Sequence, residues 1–331
     1  MASAMDAVVS PMTAGLLHKL GSLACINLEG LWFRYDDPLP HFASIRTAAK
    51  DQVQELFARL YAEPVKESLI AQRIAEIHAA GSPAMIAATP QAIGKFGDAI
   101  IKGGADLLVI QSQVSSARHI ATGYAPLELA DFVKRSSIPV AVGNTTNAEA
   151  AYSLMEQGAA ALFVGVGPGN ACTTREVLGI GVPQVTAVSD VAGARDAFAK
   201  ATGRYVPVVA DGGIRKGGEI AKALAVGADA VMIGSPLARS TEAPGSGFNW
   251  GMAASSPTLP RGTRIEMGIA GSMEQILHGP SRVTDGSENL VGAVRQSAAA
   301  LGVQTLAAFR DVEVIYALAA ATEGKSWQRG R

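Results

Sequence analysis

The chain has 331 residues, of which 48% are hydrophobic and 17% are charged, a balance that favours extensive burial and contacts between subunits. Its formal net charge is −1, with 28 lysine and arginine residues against 29 aspartate and glutamate residues, so it lacks the basic excess of a nucleic-acid binder. Two cysteines, Cys25 and Cys172, imply no disulfide framework. Neither a signal peptide nor an apolar run of about 18 residues is evident, so we expect a cytoplasmic protein without membrane contact.

Short apolar runs recur along the chain and are typical of strands buried on both faces of a parallel sheet. Helical patterns separate them. Ile70, Ile74 and Ile77 share one face of a predicted helix, and Thr146-x-x-Glu149 resembles a capping box before another. The predicted strands cover residues 23–28, 84–89, 107–110, 138–142, 160–164, 206–210 and 230–233.

A weak internal repeat supports repeated βα units. Gly104-Ala105-Asp106, Gly158-Ala159-Ala160 and Gly227-Ala228-Asp229 each precede a predicted strand, where glycine can end the helix before it. Strands that alternate with helices predict an α/β fold, a (β/α)₈ TIM barrel whose first strand is mostly missing from this chain. An open doubly wound sheet is the alternative.

Residues 1–331 read as a single domain, because no linker interrupts the pattern. Residues 240–290 differ in being rich in glycine and proline, and they follow the last predicted strand. We therefore expect them to form a lid or flap over the carboxyl end of the barrel, with residues 29–40 as a second long loop on that face.

Three predicted strands end in loops that suit a nucleotide site. The glycine-rich run 165–175 carries Cys172, a candidate nucleophile, and glycines there let the backbone approach a ligand closely. Asp211-Gly212-Gly213 and Gly234-Ser235 follow two later strands. Asp211 could also be an ordinary turn residue and Gly234-Ser235 an ordinary helix start, whereas Cys25 reads as a small buried side chain.

The runs GVGPGNACTTREVLGIGVPQVTAV (165–188), ADGGIRKGGEIAKALAVGADAVMIGSPLA (210–238) and SAMD (3–6) resemble the catalytic domain of inosine-5′-monophosphate (IMP) dehydrogenase. GMP reductase shares this architecture and the cysteine loop. The pair of CBS domains that most of the family inserts after its second helix is absent, so the chain resembles the short IMP dehydrogenase-related branch.

The resemblance implies a role for each matching residue. Cys172 would be the nucleophile with Thr174 beside it, and Asp211 would bind the ribose hydroxyls. The remaining substrate contacts would come from residues on the phosphate side and the purine side, and the cofactor would lie near three further positions. The residues on the phosphate side and in the cysteine loop are Ser3, Gly169, Asn170, Gly213, Gly234 and Ser235. Those that would contact the purine are Met5, Gly251 and Met252, and those near NAD would be Gln111, Asn144 and Gly165. The carbonyls of Gly167, Gly169 and Cys172 would bind a monovalent cation such as K⁺.

The chain departs from the family pattern at several positions. Only eight residues separate Met252 from Arg261, too few for the mobile flap that carries the family's arginine and tyrosine. Arg261 or Arg264 is a candidate for activating water or for the phosphate side, and Arg34-Tyr35 is a weaker one. Gln111 stands where the family has an aspartate that binds the nicotinamide ribose, and Phe163 where it has an arginine.

The resemblance implies oxidation of IMP to XMP with NAD through a covalent cysteine thioimidate, in guanine nucleotide biosynthesis, by a homotetramer. The ligands would be IMP and XMP, or GMP. Two alternatives stay open: a GMP reductase that converts GMP to IMP with NADPH, and a purine-nucleotide-binding protein with impaired catalysis.

Overall fold

The computed structural model describes residues 1–111, 126–169, 172, 174–252 and 264–316. Seven parallel strands form one curled sheet in the order β1 to β7. All seven predicted strands are confirmed. They are β1 (Cys25–Asn27), β2 (Met85–Ala88), β3 (Leu107–Gln111), β4 (Val140–Thr145), β5 (Ala161–Val164), β6 (Val208–Asp211) and β7 (Ala230–Met232).

In β4 and β6 proline delays the start of the strand within the predicted apolar run. Ile138-Pro139 and Val206-Pro207 belong to the runs, but proline has no N–H to donate to a ladder. The proline carbonyls still accept hydrogen bonds, from Leu108 at 3.1 Å and from Leu162 at 2.8 Å. The apolar runs therefore mark the strands, while proline sets where regular pairing starts.

The first few residues join the two edges of the sheet. Ala2 donates its N–H to Leu23 O at 2.7 Å beside β1, and Ser3 donates to Ile233 O at 2.9 Å beside β7. Ala2 thus forms parallel bridges to both edges, which closes the ring. A single bridging residue occupies the place of the short first strand, and the open doubly wound sheet is excluded because its edge strands would not share a neighbour.

The helices surround this ring. In the described part of the chain they are α1 (Pro11–Lys19), α2 (Leu39–Thr47), α3 (Val53–Ala62), α4 (Ser68–Ala79), α5 (Pro90–Lys102), α6 (Leu129–Arg135), α7 (Ala148–Glu156), α8 (Thr174–Leu178), α9 (Gln184–Thr202), α10 (Gly217–Ala225), α11 (Ser235–Ala238), α12 (Met273–His278) and α13 (Leu290–Leu301). Asn147 caps α7 by accepting the N–H of Ala150, so the cap lies one residue after the predicted Thr146. No helix in the described ranges is long and apolar enough to cross a membrane.

The Gly-Ala-Asp repeat has a structural function at the amino-terminal face of the sheet. Asp106 Oδ2 accepts the N–H of Ala84 at 2.7 Å, and Asp229 Oδ2 accepts the N–H of Val208 at 2.8 Å. Each aspartate therefore caps the start of the neighbouring strand and satisfies a backbone group that would otherwise lack a partner.

The described residues of 240–290 contain a short antiparallel pair, β8 (Phe248–Asn249) and β9 (Ile265–Glu266). Trp250 follows β8 and is fully buried, with its ring 5.8 Å from that of Phe57 in α3. Its Nε1 donates to Tyr61 OH at 2.9 Å. This region is thus anchored on α3 by an aromatic contact and a hydrogen bond.

Candidate active site

The cysteine loop after β5 packs against the loop after β6. A methyl group added to Gly212 would lie 2.8 Å from Pro168 Cγ, and one added to Gly213 would lie 3.1 Å from Pro168 O. Both glycines have positive φ, 93° and 79°, which side chains disfavour. The two predicted strand-end loops are therefore in direct contact, and only glycine fits between them.

Cys172 is exposed, in contrast to Cys25, which is fully buried in β1. The Cys172 Sγ lies 3.1 Å from Oγ1 of Thr174, whose side chain is buried at the start of α8. The Cys172 N–H donates to Gly169 O at 3.1 Å. Burial raises the pKa of the Cys25 thiol well above its usual range, so of the two thiols only Cys172 is available to a ligand. Asn170 lies outside the described residues.

Arg175 holds the cysteine loop to the segment that follows α8. Its Nε donates to Val166 O at 3.0 Å and its Nη2 to Val182 O at 2.8 Å. Methyl groups on Gly167 or Gly181 would meet its side chain at 2.5 and 2.6 Å. The sequence analysis did not predict a role for Arg175. Its position three residues after Cys172, with Gly167 and Gly169 before it and Gly179 and Gly181 after it, could have indicated one.

Asp211 is the centre of a polar network at the carboxyl ends of β3, β4 and β6. Its Oδ2 accepts Asn144 Nδ2 at 2.8 Å and Gln111 Nε2 at 3.1 Å. Asn144 Nδ2 also donates to Gly165 O at 2.9 Å. The structure thus brings together the residue assigned to ribose and the three assigned to the cofactor.

The electrostatics of this network are dominated by desolvation. Burial raises the pKa of Asp211 to about 6, against hydrogen bonds from Asn144 and Gln111 and the positive Met1 ammonium, which lower it. The same burial lowers the pKa of the Met1 ammonium to about 6. A carboxylate that titrates close to neutrality is therefore available at the mouth of the barrel.

Gln184, at the start of α9, was also missed by sequence reasoning. Its Nε2 donates to Val164 O at 2.7 Å and to the backbone carbonyl of Asp211 at 3.3 Å. A methyl group on Gly165 would lie 2.2 Å from that carbonyl. Gln184 and Gly165 therefore set how closely the ends of β5 and β6 approach each other.

Three of the residues predicted for the phosphate side, Ser3, Gly234 and Ser235, lie close together. A methyl group on Gly234 would be 3.0 Å from Met5 Sδ and 3.9 Å from Ser3 Oγ. Asn249, almost fully buried in β8, donates from Nδ2 to Ser235 Oγ at 3.4 Å. Asn249 is a further polar residue at this position, and the sequence contained no signal for it.

Asp6, the last residue of the SAMD run, lies next to Met5 and Met252, two residues predicted for the purine side. Asp6 Oδ2 accepts Tyr61 OH at 2.7 Å and the N–H of Leu31 at 2.8 Å. The Asp6 N–H contacts Met252 Sδ at 3.5 Å, directly after Gly251. Met252 is thereby held beside the loop that carries Met5.

The candidate arginines contact the scaffold. Arg264 Nη1 donates to Ile45 O in α2, and its guanidinium lies 4.7 Å from the ring centroid of Phe248. Arg34 Nε donates to Glu29 O at 3.0 Å, and Tyr35 OH donates to Leu60 O at 3.0 Å. A catalytic role for Arg264 stays a prediction, and Arg261 lies outside the described residues.

Phe163 lies inside the ring of strands, where it is 1% exposed among Cys25, Val109 and Val209. Within the described ranges no group of three histidine, cysteine or acidic side chains could hold a metal ion. Binding of a monovalent cation by the backbone carbonyls of Gly167, Gly169 and Cys172 stays a prediction.

These contacts define a parallel α/β barrel that carries an exposed thiol, a carboxylate and several glycines in the loops at the carboxyl ends of its strands. The chain belongs to the IMP dehydrogenase/GMP reductase family, whose domain profile matches residues 1–326. This confirms the resemblance seen in the sequence.

Relatives from several bacteria agree with this assignment. An uncharacterized oxidoreductase of Mycobacterium leprae is 40% identical over 322 residues, covering 95% of this chain and 86% of the relative. Inosine-5′-monophosphate dehydrogenase of Haemophilus influenzae is 44% identical over 149 residues, 45% of this chain and 28% of that enzyme. The crystal structure of an IMP dehydrogenase/GMP reductase-like protein from Corynebacterium glutamicum superposes with a TM-score of 0.88 at 37% identity, covering 95% of this chain and 84% of that one.

Proposed function

We propose that this protein is an IMP dehydrogenase that oxidises IMP to XMP with NAD through a covalent intermediate on Cys172. The observation that carries the proposal is the exposed Cys172 thiol 3.1 Å from Thr174, on a loop that packs directly against Gly212 and Gly213. Membership of the family and the relatedness to oxidoreductases support the same reaction class.

In this proposal the nucleotide is held by its remote parts. Asp211 accepts the ribose hydroxyls, and the backbone of Gly213 and Gly234 holds the 5′-phosphate together with hydroxyls such as that of Ser235. Met5 and Met252 contact the purine. Binding energy from phosphate and ribose then positions C2 of the base at the sulfur of Cys172.

The covalent step follows from the chemistry of the thiolate. The sulfur of Cys172 forms a bond to C2 while the C2–N3 π pair moves onto N3, so C2 becomes tetrahedral and still carries its hydrogen. Loss of that hydrogen as hydride leaves a thioimidate, and attack by water on C2 then breaks the C–S bond, releasing XMP and the thiol. The Thr174 hydroxyl lies 3.1 Å from the sulfur and can donate a hydrogen bond to it.

The residues near the network suit a nicotinamide cofactor. The side-chain amide protons of Gln111 and Asn144 are used within the network, but their amide oxygens can accept hydrogen bonds from the hydroxyl and carboxamide groups of NAD. Gly165 is predicted to lie near the same cofactor. NAD supplies the acceptor for the hydride. The carbonyl oxygens of Gly167, Gly169 and Cys172 are ligands of the kind that bind K⁺. A bound K⁺ would stabilise the conformation of the cysteine loop.

The hydrolytic step is where a second candidate function gains support. Arg264 bonds to the backbone of α2, the flap is short, and Gln111 stands where the family has an aspartate, so a purine-nucleotide-binding protein with impaired catalysis is the alternative. We further propose that residues 240–290 act as a lid and that the protein works as a cytoplasmic homotetramer.

The test is to mix the protein with IMP, NAD⁺ and K⁺ and to follow NADH by absorbance. Steady turnover that disappears in Cys172→Ala supports the dehydrogenase. A burst of about one NADH per site without turnover would show hydride transfer without hydrolysis. Oxidation of NADPH with GMP would indicate the reductase, and IMP binding without any redox signal would indicate the binding protein.

A further inference from the structure

Gln111 uses one amide nitrogen to join three strands. Its Nε2 donates to Asn144 Oδ1 in β4 at 3.1 Å and to Asp211 Oδ2 in β6 at 3.1 Å. A primary amide nitrogen carries two protons, so both are in use. The terminus of the Gln111 side chain is therefore fixed by contacts that cross the mouth of the barrel.

The three side chains form a closed triangle of hydrogen bonds. Asn144 Nδ2 completes it by donating to Asp211 Oδ2 at 2.8 Å. Within the described part of the chain, both amide donors reach Oδ2 of Asp211, which leaves Oδ1 for a further donor. An aspartate or glutamate at position 111 would have no N–H to offer and would add a second negative charge.

We propose that Gln111 is a positioning residue for mononucleotide binding: its amide keeps the Asp211 carboxylate charged and turned so that its other oxygen can accept a ribose hydroxyl. The inference rests on the proposed function, because it takes Asp211 as the ribose-binding group. Gln111 would thus affect nucleotide binding through Asp211, in addition to its predicted position near the cofactor.

The electrostatic surroundings agree with this role. Desolvation raises the pKa of Asp211 to about 6, and the hydrogen bonds from Asn144 and Gln111 oppose that rise. The other groups that act on it are the Met1 ammonium, which lowers its pKa, and the Cys25 thiol, which burial keeps neutral. Without the Gln111 donor, Asp211 would be protonated over a wider pH range.

The first measurement needs no ligand: the ¹³C resonance of the Asp211 carboxyl is followed by NMR against pH. We expect a midpoint near 6 in the unchanged protein. In Gln111→Leu the midpoint should rise by about one pH unit, because a hydrogen bond to a charged group contributes about 1.5 kcal/mol. Gln72→Leu is the matched control, since it removes a glutamine that donates to the carboxylate of Glu76 on the exposed face of α4.

The second measurement is IMP binding by calorimetry across the same pH range. If only ionised Asp211 binds, a midpoint that is higher by one pH unit weakens binding by about fivefold at pH 6 and about twofold at pH 7, with convergence at higher pH. Gln111→Glu is the second variant, close in shape, and should split the carboxyl titration into two steps as the pair shares a proton.

An Asp211 midpoint that stays at the same pH in Gln111→Leu and Gln111→Glu would overturn the inference. If the Asp211 midpoint moves but the unchanged protein binds no IMP, the proposed function is overturned. The role of the Gln111–Asp211 hydrogen bond in ribose binding is then overturned with it. A higher midpoint with weaker IMP binding at low pH supports both.

Discussion

Replacing Asp211 by asparagine should stabilise the protein above neutral pH. Asparagine keeps an oxygen that can accept from Gln111 and Asn144 but removes the charge that burial disfavours. In the unfolded chain an aspartate titrates at ~3.9, whereas desolvation raises the pKa of Asp211 to about 6 in the folded protein.

The sign follows from proton binding. The folded protein holds the Asp211 proton more tightly than the unfolded chain, so this group supports folding at low pH and that support is lost as pH rises through 6. A pKa raised by about two corresponds to ~3 kcal/mol, which we reduce to about 1–3 kcal/mol because Asp211 is only half-buried. Asp211→Asn should therefore be more stable by this amount at pH 8, by about half of it at pH 5, and by almost nothing below pH ~4.

Urea unfolding at pH 5, 6.5 and 8 measures this difference directly. Asp51→Asn, at an exposed position, is the control and should change stability little at each pH. A variant whose stability relative to the unchanged protein is the same at all three pH values would refute the reasoning. At pH 8 the same variant should bind IMP more weakly, because the buried charge that lowers stability is the group proposed to bind the ribose.

Three further substitutions test other parts of the site. Cys172→Ala should abolish NADH formation while IMP affinity stays within about twofold, since the covalent bond follows binding; loss of affinity in a folded variant contradicts this division. Gly165→Ala should destabilise by about 1–3 kcal/mol in urea unfolding, because its methyl group would lie 2.2 Å from a backbone carbonyl. Gly94→Ala, with open space in α5, should be neutral or stabilising. Tyr61→Phe should cost about 1–3 kcal/mol by removing the hydroxyl that bonds both Asp6 and a buried indole, and an unchanged unfolding midpoint would contradict that.

Local patterns were sufficient for the strands and for the glycine loops. Apolar runs and strand-end glycines depend on burial and on backbone conformations that few other residues adopt, and both can be read from neighbouring residues. Cys172, Asp211 and Gly213 were found in this way. The exact starts of β4 and β6 were not, because Pro139 and Pro207 delay the start of regular pairing within otherwise apolar runs.

The amino-acid sequence by itself determined the seven strands, the barrel class, the candidate nucleophile Cys172 and the glycines of its loop. Only the tertiary structure decided that Ala2 closes the ring, that Tyr61 supports Asp6 across 55 residues of chain, and that Gln111 reaches Asp211 across 100. The physical reason is that such contacts depend on the register and curvature of neighbouring strands, so no local periodicity encodes which side chains meet at the mouth of the barrel.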